Sequence, residues 1–130
     1  MGALDGKVVV VTGSSRGLGL AIAEAAAAEG AAVVVSSRSP GAVETVVATL
    51  QRRGARATGI PCDVADLAQV EALDRHARAT FGGYDVWVNN AGLSAPYGPT
   101  ASIPVPEFVS VINTNILGAY YGSLVALRSF

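Results

Sequence analysis

Three glycines near the start of the chain are spaced as a phosphate-binding turn requires. The segment Thr12–Gly19 (TGSSRGLG) separates a run of β-branched residues from an alanine-rich stretch, so a strand precedes it and a helix follows. Gly13 allows a sharp turn out of the strand, while Gly17 and Gly19 let backbone amides approach a pyrophosphate. The helix N-terminus adds unpaired N–H groups and partial positive charge. We therefore predict nucleotide binding here; the alternative is a purely structural turn.

Two arginines indicate which nucleotide the chain binds. Arg16 lies inside the glycine turn, and Arg38 lies at the end of the second predicted strand. Dinucleotide-binding enzymes that use NAD carry an acidic residue there, which binds the ribose 2′-hydroxyl and would repel a 2′-phosphate. An arginine guanidinium instead matches a phosphate in charge and geometry. The pair predicts NADP(H) and makes NAD the less favoured cofactor; the alternative is two solvated surface arginines.

Polar residues also follow the third and fourth predicted strands. Asp63 leaves the third strand at its carboxyl end, where open α/β sheets bind ligands. Its carboxylate can accept a hydrogen bond from an adenine amino group, or it can form an Asx turn that caps the next loop. Asn89 and Asn90 end the fourth strand, and amides buried there need hydrogen-bond partners.

These segments together resemble the short-chain dehydrogenase/reductase family over about its first half. TGSSRGLG is similar to the family's TGxxxGxG, Asp63-Val64 to its adenine-side Asp-Val, and Asn89–Gly92 to its NNAG motif. Asn115 lies where the family places an Asn of its catalytic tetrad, and the resemblance implies that it anchors a water in a proton relay. The cofactor-binding residues implied by the glycine turn and the resemblance are Gly13, Ser15, Arg16, Gly17, Leu18, Gly19, Arg38, Asp63, Val64, Asn90, Ala91 and Gly92.

The resemblance implies hydride transfer between the nicotinamide of NADP(H) and a small-molecule carbonyl or alcohol, in a protein that is a homo-oligomer at full length. The family's acid/base tyrosine is followed four residues later by a lysine. Neither Tyr120 nor Tyr121 has such a partner, because Lys7 is the only lysine. Ser123 lies on a helix and not at the end of a fifth strand, so it is not assigned as the family's catalytic serine. We expect the 130 residues alone to be inactive.

Strands and helices alternate strictly, which means parallel strands joined by right-handed crossovers. The sequence therefore predicts one α/β domain over residues 1–130, a partial Rossmann fold whose doubly wound sheet has strand order 3-2-1-4. The predicted strands are Lys7–Thr12, Ala32–Ser37, about Ala55–Cys62 and Asp85–Asn89. The predicted helices run over Gly17–Glu29, from Ser39-Pro40 through Leu50, from Asp66 to Phe81, and from Pro106-Glu107 to Phe130.

The last predicted helix is about 25 residues long, twice the usual length, and apolar nearly all round. It reaches Ser129-Phe130 with no capping signal. We expect a fold truncated after the helix that follows strand 4, with its second half missing. The alternative is a non-catalytic NADP-binding module or sensor, but such a module should finish its last helix and cover its fourth strand.

The composition excludes several other classes of protein. A chain that is 51% hydrophobic and 15% charged is too apolar for disorder and suits a sheet buried on both faces. A net charge of −1 with scattered basic residues predicts neither nucleic-acid nor membrane partners. Cys62, the only cysteine, is expected to be a core residue, and His76 is expected to be solvated. We predict no metal site, no signal peptide and a cytoplasmic location.

Overall fold

Short runs of β-branched residues form the strands of a parallel sheet. The computed structural model describes residues 2–130; Met1, the first residue of the predicted domain, lies outside them. The strands are β1 (Val8–Val11), β2 (Ala32–Ser37), β3 (Ala57–Pro61) and β4 (Val86–Val88). All three pairings are parallel, and the order is β3-β2-β1-β4, which confirms the predicted partial Rossmann fold. β1 therefore has β2 as its neighbour on one side and β4 as its neighbour on the other.

Within residues 2–130, five α-helices connect or follow the strands, and capping residues explain where two of them begin. Ser39 Oγ accepts a hydrogen bond from Ala42 N at the start of the second helix, and Asp66 Oδ1 accepts one from Ala68 N at the start of the third. The helices are α1 (Gly17–Ala28), α2 (Pro40–Arg52), α3 (Leu67–Phe81), α4 (Val105–Ile112) and α5 (Gly118–Ser129). A short 3₁₀ turn over Thr100–Ser102 precedes α4.

The sheet is buried on both faces because its side chains alternate between two cores. Val8 and Val10 of β1 lie in a cluster with residues of α3 and α5, whereas Val9 and Val11 lie in a cluster with residues of α1 and α2. Val10 and Val11 are both 0% exposed. Burying one such side chain contributes about 1.5–3 kcal/mol to stability, so these four positions fix β1 at the centre of the fold.

The end of the chain is not the single regular helix that the sequence predicts. The helical region begins at Val105, and α4 passes into α5 through a π-helical segment, Asn113–Leu117. Inserted π turns are frequent at functional sites, because they redirect side chains without ending the helix. Here the segment contains Asn115, one of the predicted site residues.

Two single-residue expectations have different outcomes. Cys62 is a core residue as predicted, with 3% of its surface exposed. The prediction for His76 is wrong, because its ring is partly buried and its Nε2 lies 2.8 Å from Thr58 Oγ1 of β3.

No helix within residues 2–130 combines the length and the apolar character needed to cross a membrane. Over the same residues, no cluster of three or more acidic, His or Cys side chains is suited to a metal ion.

Candidate cofactor site

A cavity of about 520 Å³ lies at the carboxyl ends of the strands, where each strand passes into its following loop. Its volume is within the range of small-molecule and cofactor sites. Since β1 lies between β2 and β4, the cavity is at the topological switch point at which open α/β sheets bind ligands. It is lined by Gly13, Ser15, Arg16, Gly17, Ser37, Arg38, Ser39, Ala42, Cys62, Asp63, Val64, Asn90, Ala91, Gly92, Leu93 and Thr114.

Most of the predicted site residues come together in this cavity. Among the predicted cofactor residues, Leu18 and Gly19 do not line it, and neither does Asn115, although its neighbour Thr114 does. Ser37, Ser39, Ala42, Cys62, Leu93 and Thr114 line the cavity without having been predicted as site residues. Most of these lie within two positions of a predicted residue, so proximity in sequence was the one signal that could have found them.

The glycines of the first turn each meet a different requirement. Gly13 has φ +63°, and a Cβ there would lie 2.8 Å from Ala91 Cα. A side chain is therefore excluded both by the backbone conformation and by the contact with Ala91. Gly17 has φ +59°, but a Cβ there would meet only open space. A Cβ on Gly19 would instead overlap the carbonyl oxygen of Gly13 and Nδ2 of Asn90. The turn therefore packs tightly on its protein side and leaves room on its cavity side.

The N-terminus of α1 faces this open room without a side-chain cap. Its cap position is Arg16, whose side chain makes no capping hydrogen bond. The first N–H groups of a helix have no intrahelical acceptor, and they carry partial positive charge. An uncapped helix start beside two cavity-lining glycines, Gly13 and Gly17, suits the pyrophosphate of a dinucleotide. The residues present thus fit such a cofactor.

A hydrogen-bonded lock joins the glycine turn to the end of β4. Thr12 is 2% exposed, and its Oγ1 accepts hydrogen bonds from the N–H groups of Asn90 and Ala91, both at 3.1 Å. The same hydroxyl donates to the carbonyl of Val88 at 3.3 Å. In return, Asn90 Nδ2 donates to the carbonyls of Thr12 and Gly13 at 3.1 and 3.0 Å. The lock fixes the two sides of the cavity relative to each other.

A second buried contact ties the same turn to the end of β2. Ser14 is 0% exposed; its Oγ donates to the carbonyl of Val11 at 2.8 Å and accepts from Ser36 N at 3.0 Å. Its backbone N–H also donates to the carbonyl of Ser36 at 2.8 Å. The loops after β1, β2 and β4 are therefore held as one unit around the cavity.

Arg16 and Arg38 both line the cavity and are exposed to solvent. Within residues 2–130 the two ion pairs of the structure involve other arginines, so neither guanidinium is neutralised by an acidic side chain. Asp63 is the one acidic residue among those that line the cavity. The loops after β1 and β2 thus carry a positive charge each, which favours an anionic ligand.

Asp63 forms the Asx turn that the sequence left open as an alternative. Its Oδ1 accepts a hydrogen bond from Ala65 N at 3.0 Å, and its backbone N–H donates to Gln69 Oε1 at 2.8 Å. A carboxylate accepts several hydrogen bonds, so this turn holds the side chain in place and leaves capacity for an adenine amino group. Adenine binding by Asp63 stays a prediction.

Cys62 precedes Asp63 and also lines the cavity. Burial raises the pKa of the Cys62 thiol to about 11, which keeps the thiol protonated and unreactive.

Asn115 engages the backbone of the loop after β4. Its Oδ1 accepts from Leu93 N and its Nδ2 donates to the carbonyl of Leu93, both at 2.8 Å. The side-chain amide is thereby occupied in joining the π-helical segment to the cavity wall, because Leu93 lines the cavity. The catalytic role of Asn115 stays a prediction, and this pairing assigns its side chain to positioning.

Asn89 points to a different part of the molecule from Asn90. Its Nδ2 donates to Ser123 Oγ of α5 at 3.1 Å, and its Oδ1 accepts from Trp87 Nε1 at 2.9 Å. A Cβ on Gly122 would overlap Asn89 Oδ1, so the small residue lets α5 approach β4 closely. Ser123 is thus engaged in joining α5 to β4, and it does not line the cavity.

Comparison with known proteins identifies relatives that match this chain over about half of their own length. Residues 7–130 match the family model described as short chain dehydrogenase. The chain is 43% identical over 129 residues to 3beta-hydroxysteroid dehydrogenase 1 of Eggerthella lenta, an alignment that covers 98% of this chain and 49% of that protein. The chain thus spans about half the length of the curated relatives it matches.

Two solved structures with bound cofactors have the same architecture. A short chain dehydrogenase/reductase from Burkholderia phymatum in complex with NAD matches with a TM-score of 0.94 and 35% identity, over 100% of this chain and 46% of that one. A short chain dehydrogenase from Burkholderia cenocepacia in complex with NADP matches with a TM-score of 0.90 and 35% identity, over 98% and 52%. By its sequence over residues 7–130, and in agreement with its fold, this chain belongs to the short chain dehydrogenase family.

Proposed function

We propose that this chain binds NADP(H) as the N-terminal part of an oxidoreductase that transfers a hydride between the nicotinamide and a carbonyl or alcohol substrate. The observation that carries the proposal is the cavity at the switch point, which combines an uncapped helix start with two arginines that have no acidic partner within residues 2–130. Membership of the family supports the reaction class. The solved relatives are complexes with NAD and with NADP, so the choice between them rests on local residues.

The residues at the end of β2 favour the phosphorylated cofactor. Ser37, Arg38 and Ser39 line the cavity in succession, and none of them is acidic. An acid here would accept a hydrogen bond from a free ribose 2′-hydroxyl and would repel a 2′-phosphate. Arg38 offers instead a planar, permanently charged fork for phosphate oxygens, and Arg16 lines the same cavity from the glycine turn.

The remaining residues hold the rest of the dinucleotide. The backbone amides of Gly17 and Leu18 at the start of α1 bind the pyrophosphate, and Asp63 and Val64 bind the adenine. The segment Asn90–Gly92 lines the path of the ribose, where a Cβ on Gly92 would lie 3.4 Å from Asn115 Oδ1. The nicotinamide supplies the hydride chemistry when it is bound. Asn115 holds Leu93 and with it the wall next to that path.

We further propose that the 130 residues bind the cofactor without reducing a carbonyl by themselves. Proton transfer to a carbonyl oxygen needs a positioned acid, and no tyrosine of this sequence has a lysine four residues later. Purified chain mixed with NADPH and a panel of ketones and aldehydes should show no NADPH oxidation above the protein-free rate. Turnover in this assay would mean that another group donates the proton.

Cofactor preference is tested by Arg38→Asp. The change removes a charged hydrogen-bond donor and adds a repulsion, so NADPH should bind about a hundredfold more weakly or worse, whereas NADH should bind as before or better. Calorimetric titration with both cofactors measures the two constants. Arg52→Asp makes the same charge change at the exposed end of α2 and should alter neither constant. Equal losses of NADPH and NADH in Arg38→Asp would contradict the proposed preference.

A further inference from the structure

The α3–α5 groove, a cavity of about 390 Å³ between these two helices, is separate from the cofactor cavity. Within residues 2–130 no residue lines both of them. The lining residues of α3 are spaced i, i+3, i+4 and i+7, so they share one face of that helix. The charged residues that line the groove are Glu71, Asp74, Arg75 and Arg78 of α3 and Arg128 of α5.

The most buried charged side chain of the groove is already satisfied by the protein. Asp74 is 8% exposed, and its Oδ2 accepts hydrogen bonds from Arg78 Nε and Nη2 at 3.0 and 2.7 Å. Its Oδ1 accepts a hydrogen bond from the Tyr84 hydroxyl at 2.7 Å. The charges of Asp74 and Arg78 therefore offset each other, and the pair contributes little to the net charge that a ligand meets in the groove.

Arg75 and Arg128 provide positive charge on the two sides of the α3–α5 groove. Arg75 lies on α3 and Arg128 in the last turn of α5, and both are exposed to solvent. Within residues 2–130 neither of them forms an ion pair with an acidic side chain, because the ion pairs of the structure involve other arginines. Glu71 also lines the groove and offsets one of the two charges. The groove therefore keeps a net positive charge, which favours an anionic ligand.

We propose that the α3–α5 groove binds a phosphate group, carried by inorganic phosphate or by a small phosphate monoester, between the guanidinium groups of Arg75 and Arg128. A guanidinium donates parallel hydrogen bonds to phosphate oxygens, and a tetrahedral anion has oxygens for a second guanidinium on its other side. A phosphate monoester carries about two negative charges at pH 7, so it matches two guanidinium groups better than a single carboxylate does. The bound anion joins α3 to α5, and the site does not depend on the proposed binding of NADP(H).

Arginine modification by phenylglyoxal, measured for each residue by peptide mass spectrometry, tests the site in the 130-residue chain. A bound phosphate covers both guanidinium groups, so it should slow the modification of Arg75 and Arg128 together, by about tenfold at a concentration about ten times Kd. Chloride at the same ionic strength controls for screening. Arg52 is the control residue, because it is exposed on α2 and lines neither cavity. Since each arginine is measured separately, phosphate bound in the cofactor cavity does not interfere.

Glycerol 3-phosphate is the second probe, and it distinguishes the two sources of the phosphate group. Protection by glycerol 3-phosphate at a lower concentration than by inorganic phosphate would identify a small ester as the preferred ligand. Protection by both at the same concentration would show that the groove recognises the phosphate group alone. Both results support the proposed site.

Arg75→Gln distinguishes one shared site from two independent surface arginines. A phosphate held by both groups needs both, so the variant should remove most of the phosphate protection of Arg128, whereas Arg52→Gln should leave that protection unchanged. Urea unfolding of both variants should give the parent's midpoint, because the two side chains are exposed. The inference is overturned if Arg128 is protected equally in Arg75→Gln and in the parent, if chloride protects as well as phosphate does, or if the two groove arginines are protected no more than Arg52.

Discussion

At the scale of single residues, the cavity depends on one hydroxyl that accepts two backbone hydrogen bonds. Replacing Thr12 by Val keeps its shape but leaves the N–H groups of Asn90 and Ala91 without their acceptor. Each buried donor left unpaired costs about 1–3 kcal/mol, so Thr12→Val should lower the free energy of unfolding by at least about 1–3 kcal/mol and weaken dinucleotide binding. Thr12→Ser keeps the hydroxyl and should retain binding. Urea unfolding and NADPH titration of both variants measure these effects, and full binding by Thr12→Val would show that the lock is dispensable.

Gly19 is a second single-residue test, because a side chain there would collide with the glycine turn although Gly19 itself does not line the cavity. Gly19→Val would drive side-chain atoms into the Gly13 carbonyl and the amide of Asn90, which moves the glycine turn. We expect dinucleotide binding to be abolished. Gly41→Ala is the matched control, since a Cβ at Gly41 in α2 meets nothing within 4 Å. Calorimetry on both variants decides the matter: NADPH binding by Gly19→Val at the parent's affinity contradicts the role assigned to this glycine.

The sequence predicted those site residues whose type is imposed by the backbone. Gly13 and Gly17 have positive φ, which only glycine adopts at little cost, so their spacing carries information without knowledge of the fold. The partners of a side chain carry no such signal. The bond between Asn115 and Leu93 joins residues 22 positions apart, and that between Thr58 and His76 depends on how α3 lies against β3. Both became visible only once the elements were packed.

At the scale of elements, a polar cluster of Asp74, Arg78 and Tyr84 joins α3 to the segment before β4, and the Tyr84 hydroxyl also lies 3.4 Å from the carbonyl oxygen of Val125 in α5. Tyr84 donates a hydrogen bond from its hydroxyl to Asp74 Oδ1 at 2.7 Å, and Arg78 contacts the other carboxylate oxygen at 2.7 Å. Asp74 is only 8% exposed, and a buried carboxyl group needs such hydrogen-bond partners. The sequence did not reveal this cluster, because polar residues on a helix normally indicate its solvated face. The break between α4 and α5 was also missed, since a π-helical insertion leaves no composition signal.

Burial raises the pKa of Tyr84 to about 12, which gives an alkaline test of the cluster. Because the folded state favours the neutral phenol, the stabilisation is complete below the ordinary tyrosine pKa of about 10 and is lost as the pH rises towards 12. Absorbance titration of the native chain should show a phenol that ionises near pH 12. Tyr84→Phe should remove that late step and lower the stability by about 0.5–1.5 kcal/mol. Ionisation of this phenol near pH 10 in the folded chain would contradict the buried position of Tyr84.

At the scale of the whole molecule, the two faces of the sheet are covered unequally. The face that carries α1 and α2 is closed by both helices, and its core residues are almost completely buried. The core of the other face contains residues of α3 and α5, whereas α4 contributes no buried residue. The strand order could be predicted because alternation of elements and right-handed crossovers leave few topologies. The sequence could not show how much of the surface of the last helix is covered, since an apolar sequence does not say what packs against it.

The exposed apolar side chains of α4, the π-helical segment and α5 should make the 130-residue chain self-associate. Val109 of α4, Ile116 of the π-helical segment and Tyr120 of α5 are 45%, 58% and 57% exposed. Exposed apolar surface favours association at about 25 cal/mol per Å² buried, and a net charge of −1 provides little repulsion between copies. Sedimentation velocity should show a sedimentation coefficient that rises with protein concentration.

The double variant Val109→Gln, Ile116→Gln should shift this equilibrium towards the monomer, because it replaces apolar surface by amides that prefer water. Tyr97→Gln is the control, since Tyr97 is fully exposed in the loop before α4 and lies outside these helical segments. It should leave the concentration dependence unchanged. A parent chain that sediments as a monomer at all concentrations, or a double variant that associates as strongly as the parent, would show that these exposed apolar side chains do not drive association.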